Sequence, residues 1–228
     1  MKSPDQLIVP LGAGAAITAL VYPAQGGPGV AAFILAHGAG AGQRSTFIVD
    51  FARALSASGL DIVTFNFLYA EQRRRLPDRA PLLEACYRAA IDAVRRELPS
   101  APRSLFIGGK SMGGRIATQV AAADPTLDLD GLVLLGYPLH PPGRTDKLRD
   151  AHLPAVARPM LFVQGSRDAF GTPAELELVA RRLSPPPTLW VVHGGDHSFK
   201  VTGKDSTRQA AVFGGIQRTI VDWIKERA

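Results

Sequence analysis

The chain opens on an apolar stretch that glycine and proline break up. Leu7 to Ala24 reads LIVPLGAGAAITALVYPA, with Pro10, Gly12 and Gly14 inside it. Two short strands around a glycine turn account for this pattern. A secretory leader does not, because Asp5 sits where a basic segment belongs and the apolar run is interrupted. From there on, short continuous apolar runs alternate with stretches of helical spacing. Strands are predicted at 30–36 (VAAFILA), 62–67 (IVTFNF), 105–107, 132–135, 160–164 (MLFVQ) and 189–192. Helices are predicted at 47–58, from Pro81 through LLEACYRAAIDAVRREL, at 112–123, from Thr172-Pro173 to about Leu183, and at 207–226. Thr172 and Pro173 supply a cap and a first-turn proline. Runs that are apolar throughout, not alternating, belong to strands covered on both faces. The order strand, helix, strand, helix then implies an α/β fold with a mostly parallel central sheet and helices on both faces.

Composition adds limits to this picture. At 228 residues one domain spanning 1–228 is expected, and it is long enough to bury a core without disulfides. The 26 basic and 20 acidic residues give a net charge of +6, and arginine supplies most of the excess. Most arginines fall on helix faces. The one dense run is Arg73-Arg74-Arg75 with Arg79, either a solvated surface or an anion-attracting patch. No nucleic-acid-binding motif accompanies it, so no nucleic-acid partner is expected. The lone Cys86 excludes an intrachain disulfide and a cysteine metal cluster; inside a helix it reads as a small buried hydrophobe. No apolar run approaches the ~20 residues of a membrane helix, and a cytoplasmic protein without a membrane partner is expected.

The chemistry concentrates at LFIGGKSMGGR, residues 105–115. A strand runs into Gly109-Lys-Ser111-Met-Gly113 and a helix follows, which is Gly-x-Ser-x-Gly in the strand–turn–helix setting that makes it a nucleophile turn. A phosphate loop would need glycine at 104, where the chain has Ser104. A serine hydroxyl needs a base. Of the five histidines, His197 lies in GGDHSF just past the last strand, and His193 is the alternate. Asp168, in QGSRDAFG four residues past a strand, is the candidate acid that would fix the imidazole tautomer. Ser111, Asp168 and His197 each follow a strand, where parallel sheets place their sites. The backbone N–H groups of Met112 and of Ala39, in His37-Gly-Ala-Gly, are the candidate oxyanion hole, with Gly38 or Gly40 as alternatives for the second donor. His37 is expected to order that loop. Lys110 either acts beside the nucleophile or points away.

The stretches HGAGAG at 37–42, FNFLYAEQRRRLPD at 65–78, GGKSMGGRIAT at 108–118, LLGYPLHPPG at 134–143, LFVQGSRDAFG at 161–171 and GGDHSFK at 194–200 together resemble the lidless α/β-hydrolases related to dienelactone hydrolase. Within that group they are most similar to the branch of testis-expressed and NSL-complex hydrolase-like domains and their bacterial relatives. The resemblance implies Ser111 as nucleophile, Asp168 as acid and His197 as base. It departs from dienelactone hydrolase itself, whose nucleophile is a cysteine.

These readings imply a serine hydrolase that cleaves a carboxylic ester or thioester through an acyl-enzyme. A small acyl substrate is expected, and no cofactor or metal. The segment with HPPGRTDKLRDAHL at 140–153 is too short for a separate lid domain. Loops at 66–80 and 137–159 should wall the site, with Phe67, Tyr69 and Tyr137 as either core or substrate contacts. Arg73, with Arg74 and Arg75, would favour carboxylated or phosphorylated substrates. Two rivals stand beside this reading: a non-catalytic interaction module on the same fold, and a peptidase or amidase. Oligomeric state is not readable. The C-terminal helix, with Phe213, Ile216, Ile220 and Trp223 at core spacing, should pack on the sheet.

Overall fold

The structure, a computed structural model, describes residues 4–203 and 206–228. Eight strands form one sheet: β1 (Asp5–Gly12), β2 (Ala15–Tyr22), β3 (Ala32–Ala36), β4 (Asp61–Phe65), β5 (Leu105–Lys110), β6 (Gly131–Leu135), β7 (Met160–Gly165) and β8 (Thr188–Val192). Their spatial order is β1-β2-β4-β3-β5-β6-β7-β8. Strands β3 to β8 pair in parallel, and β2 runs against both of its neighbours. The opening apolar stretch is therefore a hairpin on one edge of the sheet. The helices are α1 (Thr46–Ala57), α2 (Leu68–Glu71), α3 (Ala80–Glu97), α4 (Met112–Ala123), α5 (Pro173–Ala180) and α6 (Ser206–Lys225), with a 3₁₀ turn at Leu153–Ala155.

The continuous apolar strands are explained by two cores. Along β3 every residue is buried, and successive side chains alternate between them. Ala32, Ile34 and Ala36 join the core under α3, α4 and α5, which includes Tyr87, Ile116 and Val179. Phe33 and Leu35 join the core under α1 and α6, which includes Phe51, Ile220 and Trp223. A period-2 strand sandwiched between two helical layers has no polar face to show. Tyr87 ties the layers to the sheet: its hydroxyl accepts from the Gly108 amide at 2.9 Å and donates to the Gly108 carbonyl at 2.6 Å.

Some boundaries depart from the sequence pattern. Val30 is exposed, so β3 starts at Ala32. Strand β4 stops at Phe65, and Phe67 instead caps α2, a single turn that the apolar pattern missed because it is too short to show a period. Helix α5 ends at Ala180, ahead of Leu183. Its start agrees with the sequence: Thr172 and Glu175 form a reciprocal capping box with Pro173 in the first turn. Cys86 is buried.

The topology fixes where a site can lie. From β3 the chain turns outward to β4, while from β5 it turns the other way to β6. The carboxyl ends of β3 and β5 are thus adjacent while their connections diverge, which leaves a crevice at that point. Among the described residues no helix is long and apolar enough to cross a membrane.

Trp223 of α6 packs edge-on against Phe106 at 5.8 Å between ring centres and is almost fully buried. Trp223→Ala removes this anchor and should cost about 3–5 kcal/mol. Urea unfolding should show the lower midpoint with little change in slope.

Candidate active site

Strand β5 enters a sharp turn at Ser111, which adopts φ 51° and ψ −115° before α4 begins at Met112. A non-glycine residue in that region carries strain of ~1–3 kcal/mol, so the surroundings must hold it there. The flanking glycines are what allow the turn to approach the end of β3. A Cβ on Gly109 would lie 2.4 Å from the Ala36 carbonyl oxygen, and one on Gly113 would lie 2.6 Å from it and 2.7 Å from that of His37. The Ser111 amide donates to the Leu135 carbonyl at 2.9 Å, which pins the turn to β6.

The structure brings Ser111, His197 and Asp168 together. The Ser111 hydroxyl lies 2.9 Å from His197 Nε2, and His197 Nδ1 lies 2.8 Å from Asp168 Oδ2. The geometry fits an Nδ1–H that donates to the carboxylate, leaving Nε2 to accept from the serine. Asp168 is buried and held from three sides. Its Oδ2 also accepts from Gln164 Nε2 at 2.9 Å, and its Oδ1 accepts from the Phe170 amide at 2.8 Å. The Phe170 ring lies on the imidazole of His197, 4.2 Å between centres. His193, the alternate base, is exposed on the same loop, and the imidazole at the Ser111 hydroxyl is that of His197.

Three supporting residues were invisible as such in the sequence. Gln164 is fully buried at the end of β7. Its amide donates to Asp168 and to the Gly171 carbonyl and accepts from the Tyr137 amide at 2.8 Å. The signal was there: one polar residue closing an apolar strand must find partners. Phe170 both donates to Asp168 and covers His197. Lys110 turns under the site, where its Nζ donates to the His197 carbonyl at 2.6 Å and lies 5.3 Å from the centre of the Phe199 ring. Burial pushes its ammonium down to about 8.

His37 orders the opposing loop. Its ring is fully buried, with Nδ1 2.8 Å from the Gly38 carbonyl and Nε2 accepting from the Phe67 amide at 3.3 Å. Both contacts require a neutral ring protonated at Nδ1. Met112, as the first residue of α4, has an amide that the helix leaves without an acceptor. Ala39 and Met112 line the same cavity as Ser111 and His197.

That cavity measures about 880 Å³. Apolar residues such as Ala41, Phe47, Leu83, Pro138 and Phe213 make much of its wall, and Arg115 and Arg149 also face it. The expected substrate contacts lie elsewhere. Tyr69 and Tyr137 are core residues, their hydroxyls turned to the carbonyls of Gly38 and Arg149 at 3.5 and 2.7 Å. Arg73 is exposed, at φ 57°, and does not line the cavity. The tight turn after α2 carries it outward. The arginines in the cavity wall are Arg115, one helical turn beyond Ser111, and Arg149; the other cations are Lys110, already held by the His197 carbonyl, and the exposed Lys200. Among the described residues no three His, Cys, Asp or Glu side chains converge as metal ligands would.

A family model for the alpha/beta hydrolase domain matches residues 29–225. The chain belongs to that family. Solved structures agree at the level of fold. A dienelactone hydrolase from Anabaena variabilis is 20% identical, with TM-score 0.75 and coverage of 99% of both chains. An α/β serine hydrolase without lid from Xanthomonas campestris is 21% identical, with TM-score 0.72 over 98% of this chain and 96% of that one. An alpha-beta serine hydrolase homologue from Coxiella burnetii is 17% identical, with TM-score 0.75 over 97% and 98%. The mostly parallel sheet anticipated from the strand–helix order and the hydrolase fold implied by the motif resemblance are thus the ones observed, and among the described residues the β6–β7 connection holds only one 3₁₀ turn.

Burial pushes the His37 imidazole down to about 4. An unfolded chain binds that proton near 6.5, so between the two values the unfolded state holds more protons and stability falls as pH falls. The loss should approach ~3 kcal/mol at full titration and vanish above about pH 6.5. Urea midpoints measured from pH 7 to pH 4 should show this slope, and His37→Asn should remove most of it.

Proposed function

We propose that this alpha/beta hydrolase is a serine carboxylesterase or thioesterase, with Ser111 as nucleophile, His197 as general base and acid, and Asp168 as the group that orients His197. The observation that carries this reading is the chain of contacts at 2.9 and 2.8 Å from the Ser111 hydroxyl through His197 to Asp168. Within the family, the motif stretches favour the lidless dienelactone-hydrolase-like group and, inside it, the testis-expressed and NSL-complex branch.

In this mechanism His197 Nε2 takes the Ser111 proton as Oγ attacks the acyl carbonyl. The buried Asp168 stabilises the imidazolium that forms. The amides of Met112 and Ala39 receive the developing oxyanion, aided by the positive end of α4. His197 then gives its proton to the departing oxygen or sulfur, and the acyl group remains on Ser111. Water, deprotonated by the same nitrogen, attacks the acyl-enzyme; the acid departs and Ser111 regains its proton. Alkoxides and thiolates leave with less help than an amide nitrogen, which favours ester or thioester over amide cleavage.

A fluorophosphonate probe should form a single adduct at Ser111, read by intact mass and peptide mapping, and His197→Ala should abolish it. Ser111→Ala should lower kcat on a short-chain nitrophenyl ester by on the order of 10⁶-fold. Well-folded wild-type protein that takes no probe and turns over no ester would instead support the non-catalytic interaction module.

A further inference from the structure

Arg115 and Arg149 stand in the wall of the cavity with no carboxylate of their own. Among the described residues neither forms an ion pair, whereas their acidic neighbours are already taken. Asp78 pairs with Arg74, Asp150 with Arg182, Glu84 with Arg88 and Asp146 with Arg144. The one polar side-chain contact of Arg115 is a weak one, Nη1 to Gln119 Oε1 at 3.4 Å. Asp50 and Asp78 also line the cavity, but Asp78 is the partner of Arg74, and Asp50 belongs to α1, on the opposite face of the sheet from α4.

Both arginines are placed by the fold. The Arg115 amide donates to the Ser111 carbonyl at 3.1 Å, so Arg115 sits one turn into α4 on the side of the nucleophile. Four residues of helix rise about 6 Å, comparable to the span of a short acyl chain. Arg149 lies in the irregular β6–β7 connection, yet its backbone is held at both ends. Its amide donates to the Leu139 carbonyl at 2.7 Å, and its carbonyl accepts from the buried Tyr137 hydroxyl at 2.7 Å. Burial and, after it, the nearby Arg149 guanidinium lower the pKa of Arg115, and Glu84 opposes them only weakly. Like charges held together in a half-buried wall lower in energy when an anion arrives, and planar guanidiniums suit a carboxylate.

Resting on the esterase reading above, we infer that Arg115 and Arg149 form a carboxylate subsite, and that the substrate is an ester whose acyl chain ends in a carboxylate. The apolar wall takes the chain between the scissile carbonyl at Ser111 and the anionic end at the arginine pair. This differs from the exposed Arg73–Arg75 run, which lies off the cavity.

The test compares the 4-nitrophenyl monoester of adipate with neutral 4-nitrophenyl hexanoate. Wild type should prefer the anionic ester in kcat/KM. Arg115→Gln and Arg149→Gln should each lower the anionic-to-neutral ratio by about tenfold, mainly through KM, as loss of a charge-assisted contact would. Arg73→Gln should leave that ratio as it is. A ratio unchanged in both cavity variants, or a wild-type preference for the neutral ester, overturns the subsite. A second readout separates this from failure of the esterase reading: monomethyl adipate titrated calorimetrically into Ser111→Ala and into Ser111→Ala with Arg115→Gln. Binding to the first that is lost in the second supports the subsite even where wild type hydrolyses neither ester. No binding to the first, or equal binding to both, overturns it.

Discussion

The architecture turns on one close approach, between the backbone of the β5–α4 turn and the end of β3. Ser111 is held at positive φ only because Gly109 and Gly113 let that turn sit against the Ala36 and His37 carbonyls. The same contact places the first turn of α4 beside the loop of His37 to Ala39, at the point where the sheet reverses its connection order. Any side chain on either glycine would drive the two strands apart. The candidate nucleophile, the two candidate oxyanion donors and the mouth of the cavity are thus consequences of a single packing constraint. His37 completes it from the other side, as a neutral buried ring whose two nitrogens are committed to the loop and to Phe67.

Much of this was legible in the chain, for a physical reason. Strands buried on both faces cannot alternate, so β3, β5, β6 and β7 appear as unbroken apolar runs, and the residues just past them are those a parallel sheet exposes at its carboxyl edge. Ser111, Asp168 and His197 could be found by that rule. What stayed hidden depends on direction, not spacing. Tyr69 and Tyr137 follow strands as a wall residue would, but their side chains turn inward to bond backbone carbonyls. The arginine run looked like the cationic element because it is dense. The arginines that do line the cavity are Arg115 and Arg149, which sit 34 residues apart and carry no local signature.

His197 is supported by more than Asp168. Gln164 and the Phe170 amide hold Asp168, Phe170 covers the imidazole, and Lys110 anchors the backbone of His197 from beneath. Lys110 and Ser111 are neighbours in sequence, so one short stretch supplies both the candidate nucleophile and a strut for the loop that carries its partner. The arrangement ties the β5 turn to the loop after β8 by two independent contacts, one through each residue.

The separation of 86 positions between Ser111 and His197 also sets an order of events during synthesis. The bent turn leaves the ribosome long before β8 and the loop that carries the imidazole. Until then the serine has no base, the edge of β7 lacks its neighbour, and the core under α6 is open on one side. Long-range parallel pairing forms slowly and leaves such surfaces exposed meanwhile. The Ser111–His197–Asp168 constellation therefore assembles only with the last strand, so a nascent or truncated chain would carry the strained turn without its partners.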